Sequence, residues 1–264
     1  MKFYSSFPLT PENCLSNRAI SYGDGLFETM LVSQKNLPLW DLHFKRLESG
    51  LDRLNMDIPL KSLIKYKILS LIDDENCYVV KLVIFRDDLK RGYGTESSKT
   101  HYYIVVNNYK DQLENQSLTV SSVILSHQKQ LAGLKHLNRM EQVLAAKALK
   151  GSNYRDAIML DHKNNVIETT KKNIVMIKNN KLYTAKLNKC GVYGVALRWL
   201  QLQGFDLKWK KIEFKSLQKY DGMMVCNSIQ GFNSIAHIDN IIEYKQQLSI
   251  VEDIQNQWKE IRRI

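Results

Sequence analysis

Two kinds of hydrophobic spacing alternate along this chain and predict a mixture of helices and strands. Apolar residues three or four positions apart predict helices over residues 41–55 and 59–72, because such residues fall on one side of a helix. The first of these helices has an apolar stripe of Phe44, Leu47, Leu51 and Leu54. Continuous runs rich in β-branched and aromatic residues predict strands at residues 26–32, 78–85 and 101–106.

The later part of the chain shows the same mixture with shorter strands. Strand-like pieces lie at residues 118–125, 156–161, 165–169, 173–178 and 181–184. Asparagine pairs at 164–165 and 179–180 separate some of these pieces and predict antiparallel hairpins, because asparagine tolerates the positive φ of tight turns. Helices are predicted at about 136–150, at 192–203, and through Val251, Ile254, Trp258 and Ile261.

One lysine, Lys135, stands immediately before the helix predicted at 136–150. We expect the apolar face of that helix to consist of Leu137, Met140, Leu144 and Ala148 and to dock on a core. Gly133 frees the backbone ahead of the lysine, so Lys135 falls at a junction from which its side chain can point into a cleft. Position alone does not separate it from the other lysines of a lysine-rich chain, since most lysines are solvated.

The segment of residues 107–117, NNYKDQLENQS, is polar, lacks periodicity and is the predicted linker between two domains. It separates an N-terminal α/β domain, residues 1–106, from a C-terminal α/β domain, residues 118–264, which carries Lys135. The expected fold class is α/β in the broad sense that includes α+β, with mixed sheets and packed helices.

Composition narrows the classes of function. The chain has 264 residues, 44% of them hydrophobic and 25% charged, and no apolar run reaches the length of a signal peptide core or membrane span. We therefore expect a cytoplasmic protein without a membrane partner. The net charge of +11 is spread along the chain without a zinc-finger spacing or an RNA-binding motif, so nucleic acid is not an expected partner. The four cysteines are far apart, which predicts free thiols and no structural metal.

Seven segments, in order along the chain, together resemble one known family. They are SYGDGLFETMLV (21–32), LWDLHFKRLESGLDRL (39–54), RGYG (91–94), AGLKHLNRMEQVLA (132–145), NNVIETTKKN (164–173), CGVYGVALR (190–198) and CNSIQG (226–231). The chain resembles the fold-type IV, pyridoxal-phosphate-dependent class IV aminotransferases, and within them the aminodeoxychorismate lyase branch, which KHLNRMEQVLA favours. The resemblance implies the two-domain fold of D-amino-acid aminotransferase, pyridoxal 5'-phosphate as cofactor, and a homodimer.

The resemblance assigns cofactor roles to residues whose chemistry suits them. Lys135 would supply the amine that bonds the cofactor and acts in proton transfer, and Glu168 the carboxylate that keeps the pyridine nitrogen protonated. Arg46 would supply a cation for the phosphate dianion. The other implied contacts are the amides of Val195 and Ala196 at a helix N-terminus, the hydroxyl of Ser228, and the polar side chain of Asn173.

Substrate recognition is assigned by the same resemblance. Phe27 and Thr29 are expected to line the pocket, and the Thr29 hydroxyl to assist proton handling. Arg91 and Tyr93 lie in the loop that in relatives reaches the substrate carboxylate, often across the dimer interface, and a fork-shaped guanidinium suits that task. An anionic small molecule is therefore the expected substrate, which also fits the basic charge of the chain.

The expected function is elimination of pyruvate from 4-amino-4-deoxychorismate to leave 4-aminobenzoate, a folate precursor. One alternative is an enzyme that keeps the cofactor but transfers the amino group of a branched-chain or D-amino acid. Thr29 and the KHLNR segment favour the lyase over this alternative. Another alternative is a basic binding protein that keeps the fold without catalysis.

The chain departs from the family pattern in three places. Leu197 stands where relatives usually have an arginine, and Arg198 follows one position later. Lys171 and Lys172 replace small residues, and the stretch SIQGFNSIAHI after Asn227 lacks the proline and valine of relatives. These departures leave Lys135 and Glu168 in place and bear on substrate preference and local cofactor contacts.

Overall fold

The described residues of this computed structural model, 1–73, 75–110, 116–244 and 248–262, divide into two units. Among them, the first unit holds residues 1–110 with Leu134–Asn138, and the second holds 116–133 and 139–262. The predicted linker at 107–117 overlaps two strands at its ends, and its residues 111–115 lie outside the described ranges.

An antiparallel sheet of four strands forms the first unit together with four helices. The strands are β1 (Lys2–Ser5), β2 (Gly25–Ser33), β3 (Cys77–Arg86) and β4 (Thr100–Asn108). Their order across the sheet is β1-β4-β3-β2, so β2 is an edge strand. The helices are α1 (Pro11–Leu15), α2 (Arg18–Tyr22), α3 (Trp40–Arg53) and α4 (Lys61–Ser70). The strands and helices predicted in this part of the chain are confirmed.

Helix α3 packs on β2 through the predicted apolar stripe. Phe44 and Leu47 are each 2% exposed and Leu51 is fully buried. Gly50 allows the close approach, because a Cβ at this position would lie 2.6 Å from Cδ1 of Leu26. The buried surface of α3 is wider than its apolar stripe, since it also includes polar side chains that are described below.

The short segment Leu134–Asn138 belongs to the first unit, although Lys135 was expected in the C-terminal domain. The reason is pairing with β2: the Phe27 amide donates to the Lys135 carbonyl at 2.9 Å, and the Leu137 amide donates to the Gly25 carbonyl at 3.0 Å. The segment is therefore extended where the sequence predicted the first turn of a helix.

Helix α5 (Met140–Ala148) consequently begins later than predicted, and its predicted apolar face is wrong. Met140 is 67% exposed and Leu144 is 48% exposed, whereas Ala145 is buried. Because Leu137 lies outside the helix, beside Phe85 and Val83, the four-residue stripe is not one helical face.

The second unit is built on a larger sheet with mixed strand directions. Its strands are β5 (Ser117–Val120), β6 (Ala157–Leu160), β7 (Val166–Thr169), β8 (Asn173–Lys178), β9 (Lys181–Ala185), β10 (Leu207–Lys210), β11 (Gly222–Asn227), β12 (Gly231–Ile235), β13 (His237–Ile238) and β14 (Ile242–Glu243). Their order is β10-β9-β8-β7-β6-β5-β13-β14, and β11 pairs with both β8 and β12. Helices α5, α6 (Val195–Leu202) and α7 (Ser249–Arg262) and a 3-10 helix, Phe214–Lys219, complete the unit.

The turns and the last helix of this unit follow the sequence pattern. Asn164, Asn179 and Asn180 have φ of 56°, 50° and 57°, which confirms the predicted tight turns. Of the four apolar residues through which α7 was predicted to run, Val251, Ile254 and Trp258 are at most 4% exposed and Ile261 is half-buried. Mixed sheets with packed helices confirm the expected fold class. No helix in the described ranges has the length and apolarity that a bilayer crossing requires.

Candidate active site

The amine of Lys135 is held against an aromatic ring at the start of β2. Its Nζ lies 4.3 Å from the ring centroid of Phe27, a cation–π distance when the amine is protonated. The backbone of the same two residues is hydrogen-bonded at 2.9 Å. The lysine is half-buried, so β2 fixes both its main chain and the surface next to its side chain.

Side chains alternate between the two faces of β2, which separates the two predicted pocket residues from their neighbour. Phe27 and Thr29 are half-buried on one face, and Glu28 is buried on the other. Sequence reasoning missed Lys81, which pairs with Thr29 across β2 and β3 and brings its Nζ to 5.2 Å from the Phe27 ring centroid. Only the strand register reveals this second lysine.

Arg46 lies in a buried cluster of three charged or titratable side chains. Its Nε donates to Oε1 of Glu28 at 2.7 Å and its Nη2 donates to Oε2 at 2.5 Å. His43, one helical turn earlier on α3, brings Nδ1 to 2.6 Å from the same Oε2. Glu28 and His43 are 1% exposed and Arg46 is 6% exposed. The arginine is therefore fixed in place by two bonds from a planar fork to one carboxylate.

The charge state of this cluster follows from burial and from Arg46. Burial lowers the pKa of His43 below its usual value, so at neutral pH its imidazole is neutral and donates Nδ1–H to Glu28. Burial by itself raises the pKa of Glu28, but the combined electrostatic attraction and hydrogen bonds of Arg46 and His43 outweigh it, and the pKa of Glu28 falls to about 2. Glu28 and Arg46 thus form an ion pair across the physiological range.

Arg91 and Tyr93 lie at the tip of an exposed loop between β3 and β4. Tyr93 is 87% exposed, and its ring meets the ring of Tyr22 at a centroid distance of 5.3 Å. The side chain of Arg91 is exposed, which is compatible with contact to a substrate that arrives from outside this unit.

In the second unit, Glu168 on β7 is 5% exposed and accepts hydrogen bonds from two amides. The amide of Val192 donates to its Oε2 at 2.9 Å, and Nε2 of Gln142 lies 3.4 Å from its Oε1. A buried carboxylate with amide partners is suited to accept a further cation or protonated nitrogen.

Asn173 on β8 bonds the same residue, Val192, whose amide donates to Glu168. Its Nδ2 donates to the Val192 carbonyl at 2.8 Å. Gly194 is needed next to it, because a Cβ there would lie 1.9 Å from Oδ1 of Asn173. Helix α6 begins one residue later, and among the described residues no side chain caps it, so the amides of Val195 and Ala196 are at an N-terminus suited to an anion.

The remaining predicted contact and the departures from the family pattern also lie in the second unit. Ser228 is half-buried in the turn between β11 and β12. Leu197 is fully buried, and Arg198 places its guanidinium 4.2 Å from the Tyr193 ring centroid. Lys172 is 9% exposed and its Nζ donates to Oδ1 of Asn233 at 3.2 Å. Lys172 and Arg198 therefore both contact other side chains of this unit.

The donor chemistry of these residues fits pyridoxal phosphate. The first unit offers an amine and a buried guanidinium, and the second offers a helix N-terminus without a side-chain cap and a buried carboxylate. In the described ranges, no group of three or more His, Cys, Asp or Glu side chains could hold a metal ion. The four cysteines are free thiols, as predicted.

Comparison with known proteins gives a consistent result. A model of the family named amino-transferase class IV matches residues 25–238. An aminodeoxychorismate lyase of Vibrio harveyi is 31% identical over 236 residues, which cover 85% of this chain and 86% of the relative. The crystal structure of 4-amino-4-deoxychorismate lyase from Pseudomonas aeruginosa matches with a TM-score of 0.85 and 27% identity over 98% of each chain. A branched-chain aminotransferase from Thermoproteus uzoniensis shares the fold, with a TM-score of 0.82 and 19% identity over 98% of this chain and 94% of that one.

Proposed function

Because this chain belongs to the class IV aminotransferase family, whose members are pyridoxal-phosphate enzymes, we propose that it is a 4-amino-4-deoxychorismate lyase. One observation carries the choice of reaction: a relative that is 31% identical, over 85% of this chain and 86% of its own length, is an aminodeoxychorismate lyase. The aminotransferase that shares the fold is 19% identical, a level that supports the fold alone.

The proposed reaction is an elimination that needs no oxidant or second substrate. A proton leaves the ring carbon that bears the amino group, and the bond between the ring and the enolpyruvyl oxygen breaks. The ring becomes aromatic as 4-aminobenzoate, and the released three-carbon unit takes up a proton to become pyruvate. Pyridoxal phosphate, when bound, supplies an electron sink for the charge that develops on the substrate as the proton leaves.

Different residues of this chain would bind different parts of the cofactor. Lys135 is the amine that would hold the aldehyde end, and Glu168 would hold a proton on the pyridine nitrogen. Three groups would bind the phosphate: the guanidinium of Arg46, the amides of Val195 and Ala196, and the hydroxyl of Ser228. Asn173 would keep the turn before α6 in position, since its side chain bonds the carbonyl of Val192.

Proton transfer is proposed for Lys135, with Thr29 assisting. The amine of Lys135 stands over Phe27, two residues before Thr29 on the same face of β2. In its neutral form this amine carries the lone pair that a general base needs to accept a proton.

The substrate class follows from the charged groups. The proposed substrate carries two carboxylates, and the chain has a net charge of +11. We propose that Arg91 and Tyr93 meet a carboxylate of the substrate and that the enzyme acts as a cytoplasmic homodimer, in which this loop can serve the partner's site.

The alternative is a branched-chain or D-amino-acid aminotransferase of class IV, in which Lys135 would move a proton in amino-group transfer instead of elimination. The Thermoproteus uzoniensis enzyme is an example of an aminotransferase with this fold. The hydroxyl of Thr29 on the same face of β2 as Phe27 favours the lyase.

The test is a product assay on the purified protein with its cofactor. Incubation with 4-amino-4-deoxychorismate is expected to release pyruvate and 4-aminobenzoate in equal amounts. Lys135→Ala should abolish this release and the visible absorbance of bound cofactor, while the exposed Lys147→Ala on α5 serves as the matched control. Transfer of an amino group from alanine or leucine to a 2-oxo acid, without elimination, would overturn the lyase proposal.

A further inference from the structure

We propose that Arg18 is a positioning residue for the loop tip, residues 91–94, which carries Arg91 and Tyr93. The part of this inference that concerns substrate rests on the proposed function, whereas the part that concerns the loop stands on geometry alone. The prediction is that Arg18 holds the loop tip in one conformation before substrate arrives.

The guanidinium of Arg18 bonds the loop tip through two of its nitrogens. Nη1 donates to the carbonyl of Gly92 at 2.9 Å, and Nη2 donates to the carbonyl of Tyr93 at 3.0 Å. Nε donates to Oδ2 of Asp24 at 2.8 Å. Arg18 is 4% exposed, so these bonds form out of water and the planar fork fixes the two carbonyls relative to each other.

Tyr22, at the other end of α2, holds the same stretch of loop from a second direction. Its hydroxyl oxygen accepts the amide proton of Gly92 at 3.0 Å, and its ring packs edge-on against Tyr93. The guanidinium of Arg18 lies 4.9 Å from the Tyr22 ring centroid, which is a cation–π distance. Both the amide and the carbonyl of Gly92 are therefore fixed by side chains of one short helix.

Asp24 connects the tip of the loop with its base. The carboxylate oxygen that accepts from Arg18 also accepts from Nε of Arg86 at 3.0 Å. Arg86 in turn donates to the carbonyl of Ser97 at 2.6 Å, near the end of the loop. Asp24 directly precedes β2, so these bonds attach the loop to the start of the strand that carries Phe27 and Thr29.

This arrangement restricts the backbone on which Arg91 is carried while leaving its side chain exposed. A loop that is ordered in advance loses less conformational entropy when it binds a ligand. Arg18 is therefore expected to affect substrate binding through Arg91 and Tyr93, and to leave cofactor binding unchanged.

The test combines proteolysis with kinetics on the cofactor-loaded enzyme. Trypsin cleaves after lysine and arginine, so Lys90 and Arg91 provide natural cleavage sites in the loop, and mass spectrometry locates the cut. Arg18→Ala is expected to raise the cleavage rate at these sites about tenfold, because the tip opens more often. Arg18→Lys should resemble the alanine variant, since a lysine lacks the fork that bonds two carbonyls. Arg53→Ala, at the exposed end of α3, should behave as wild type.

Kinetics then connects the loop to substrate. Arg18→Ala should raise KM for 4-amino-4-deoxychorismate about tenfold with a smaller change in kcat and unchanged cofactor absorbance. Should Arg18→Ala fail to fold, Tyr22→Phe removes only the oxygen that accepts from Gly92 and should raise both cleavage rate and KM less strongly. Unchanged cleavage in the Arg18 and Tyr22 variants would overturn the inference. A wild-type enzyme that releases no pyruvate would overturn the proposed function instead, and the proteolysis would still decide the role of Arg18.

Discussion

Two glutamates, one in each unit, are buried to a similar degree but have different partners. Glu28 is 1% exposed and bonds a guanidinium and an imidazole. Glu168 is 5% exposed and accepts from a backbone amide and a side-chain amide. Burial is therefore the same in kind, and the difference lies in the chemistry of these partners: a guanidinium and an imidazole for Glu28, and two amides for Glu168.

The difference indicates what each carboxylate is for. A buried acid whose charge is matched by Arg46 is part of the packing of α3 on β2, and removal of its charge leaves an uncompensated guanidinium. A buried acid whose oxygens are oriented by amides is suited to hold a protonated nitrogen, such as that of a pyridine ring. The first is expected to matter for stability and the second for activity.

The largest expected effect is on stability, from Glu28→Gln. Arg46 would keep its buried positive charge without a counter-ion, so the free energy of unfolding should fall by roughly 3–5 kcal/mol. Urea unfolding at pH 7 measures this loss, and Glu168→Gln is the matched control with the same chemical change. Equal losses in the two variants would remove the distinction between the two acids.

The second effect is on activity, from Glu168→Gln. A glutamine cannot hold the pyridine proton as a carboxylate does, so kcat should fall by roughly 10²–10³-fold while the fold is retained. The measurement is 4-aminobenzoate release, with circular dichroism to verify folding. A variant with wild-type kcat would show that Glu168 serves structure alone.

The third effect is acid sensitivity that originates at Glu28. Its pKa is lowered from 4.5 to about 2 in the folded protein, so the ion pair contributes stability above pH 4.5 that is lost as the pH falls towards 2. Over that range the contribution is about 3 kcal/mol. The difference in unfolding free energy between wild type and Glu28→Gln should therefore shrink below pH 4.5, and a constant difference would contradict the assignment.

The smallest effect is expected from Gln142→Ala, which removes the 3.4 Å bond from the Gln142 side chain to Glu168. A bond this long is weak, so its loss should cost about 1 kcal/mol, which corresponds to a loss of activity of roughly fivefold. Lys147→Ala on the same helix is the control. A loss as large as that of Glu168→Gln would mean that the side-chain amide, and not the carboxylate charge, limits the reaction.

The contrast between helices α3 and α5 indicates where prediction from sequence succeeds. Both have apolar residues at helical spacing, and Leu47 on α3 is buried as predicted, whereas Leu144 on α5 is 48% exposed. In α3 the whole pattern lies inside one helix. In α5 the pattern began with Leu137, which pairs with Gly25, more than a hundred residues away. Local periodicity carries no information about such distant strand pairing.

The candidate site shows the same limit. Lys135, Arg46 and Glu168 were singled out by motifs along the chain, and their roles remain predictions. Glu28 and Lys81 were missed, because their significance depends on which side of β2 a residue faces and on the register between β2 and β3. Fold class and most elements follow from local patterns, whereas the partners of each side chain depend on contacts between distant segments.

The pairing of Leu134–Asn138 with β2 also has a consequence for how the chain is made. The first unit is discontinuous, since its edge strand is completed by residues that leave the ribosome after most of residues 112–133. Until then, the start of β2 is paired with β3 on one side only, and its outward-facing groups, the Phe27 amide and the Gly25 carbonyl, have no strand beside them. Unpaired strand edges favour aggregation of nascent chains. The lysine proposed for catalysis thus lies in the segment that covers this edge, so completion of the first unit and arrival of its reactive amine are one step in biosynthesis.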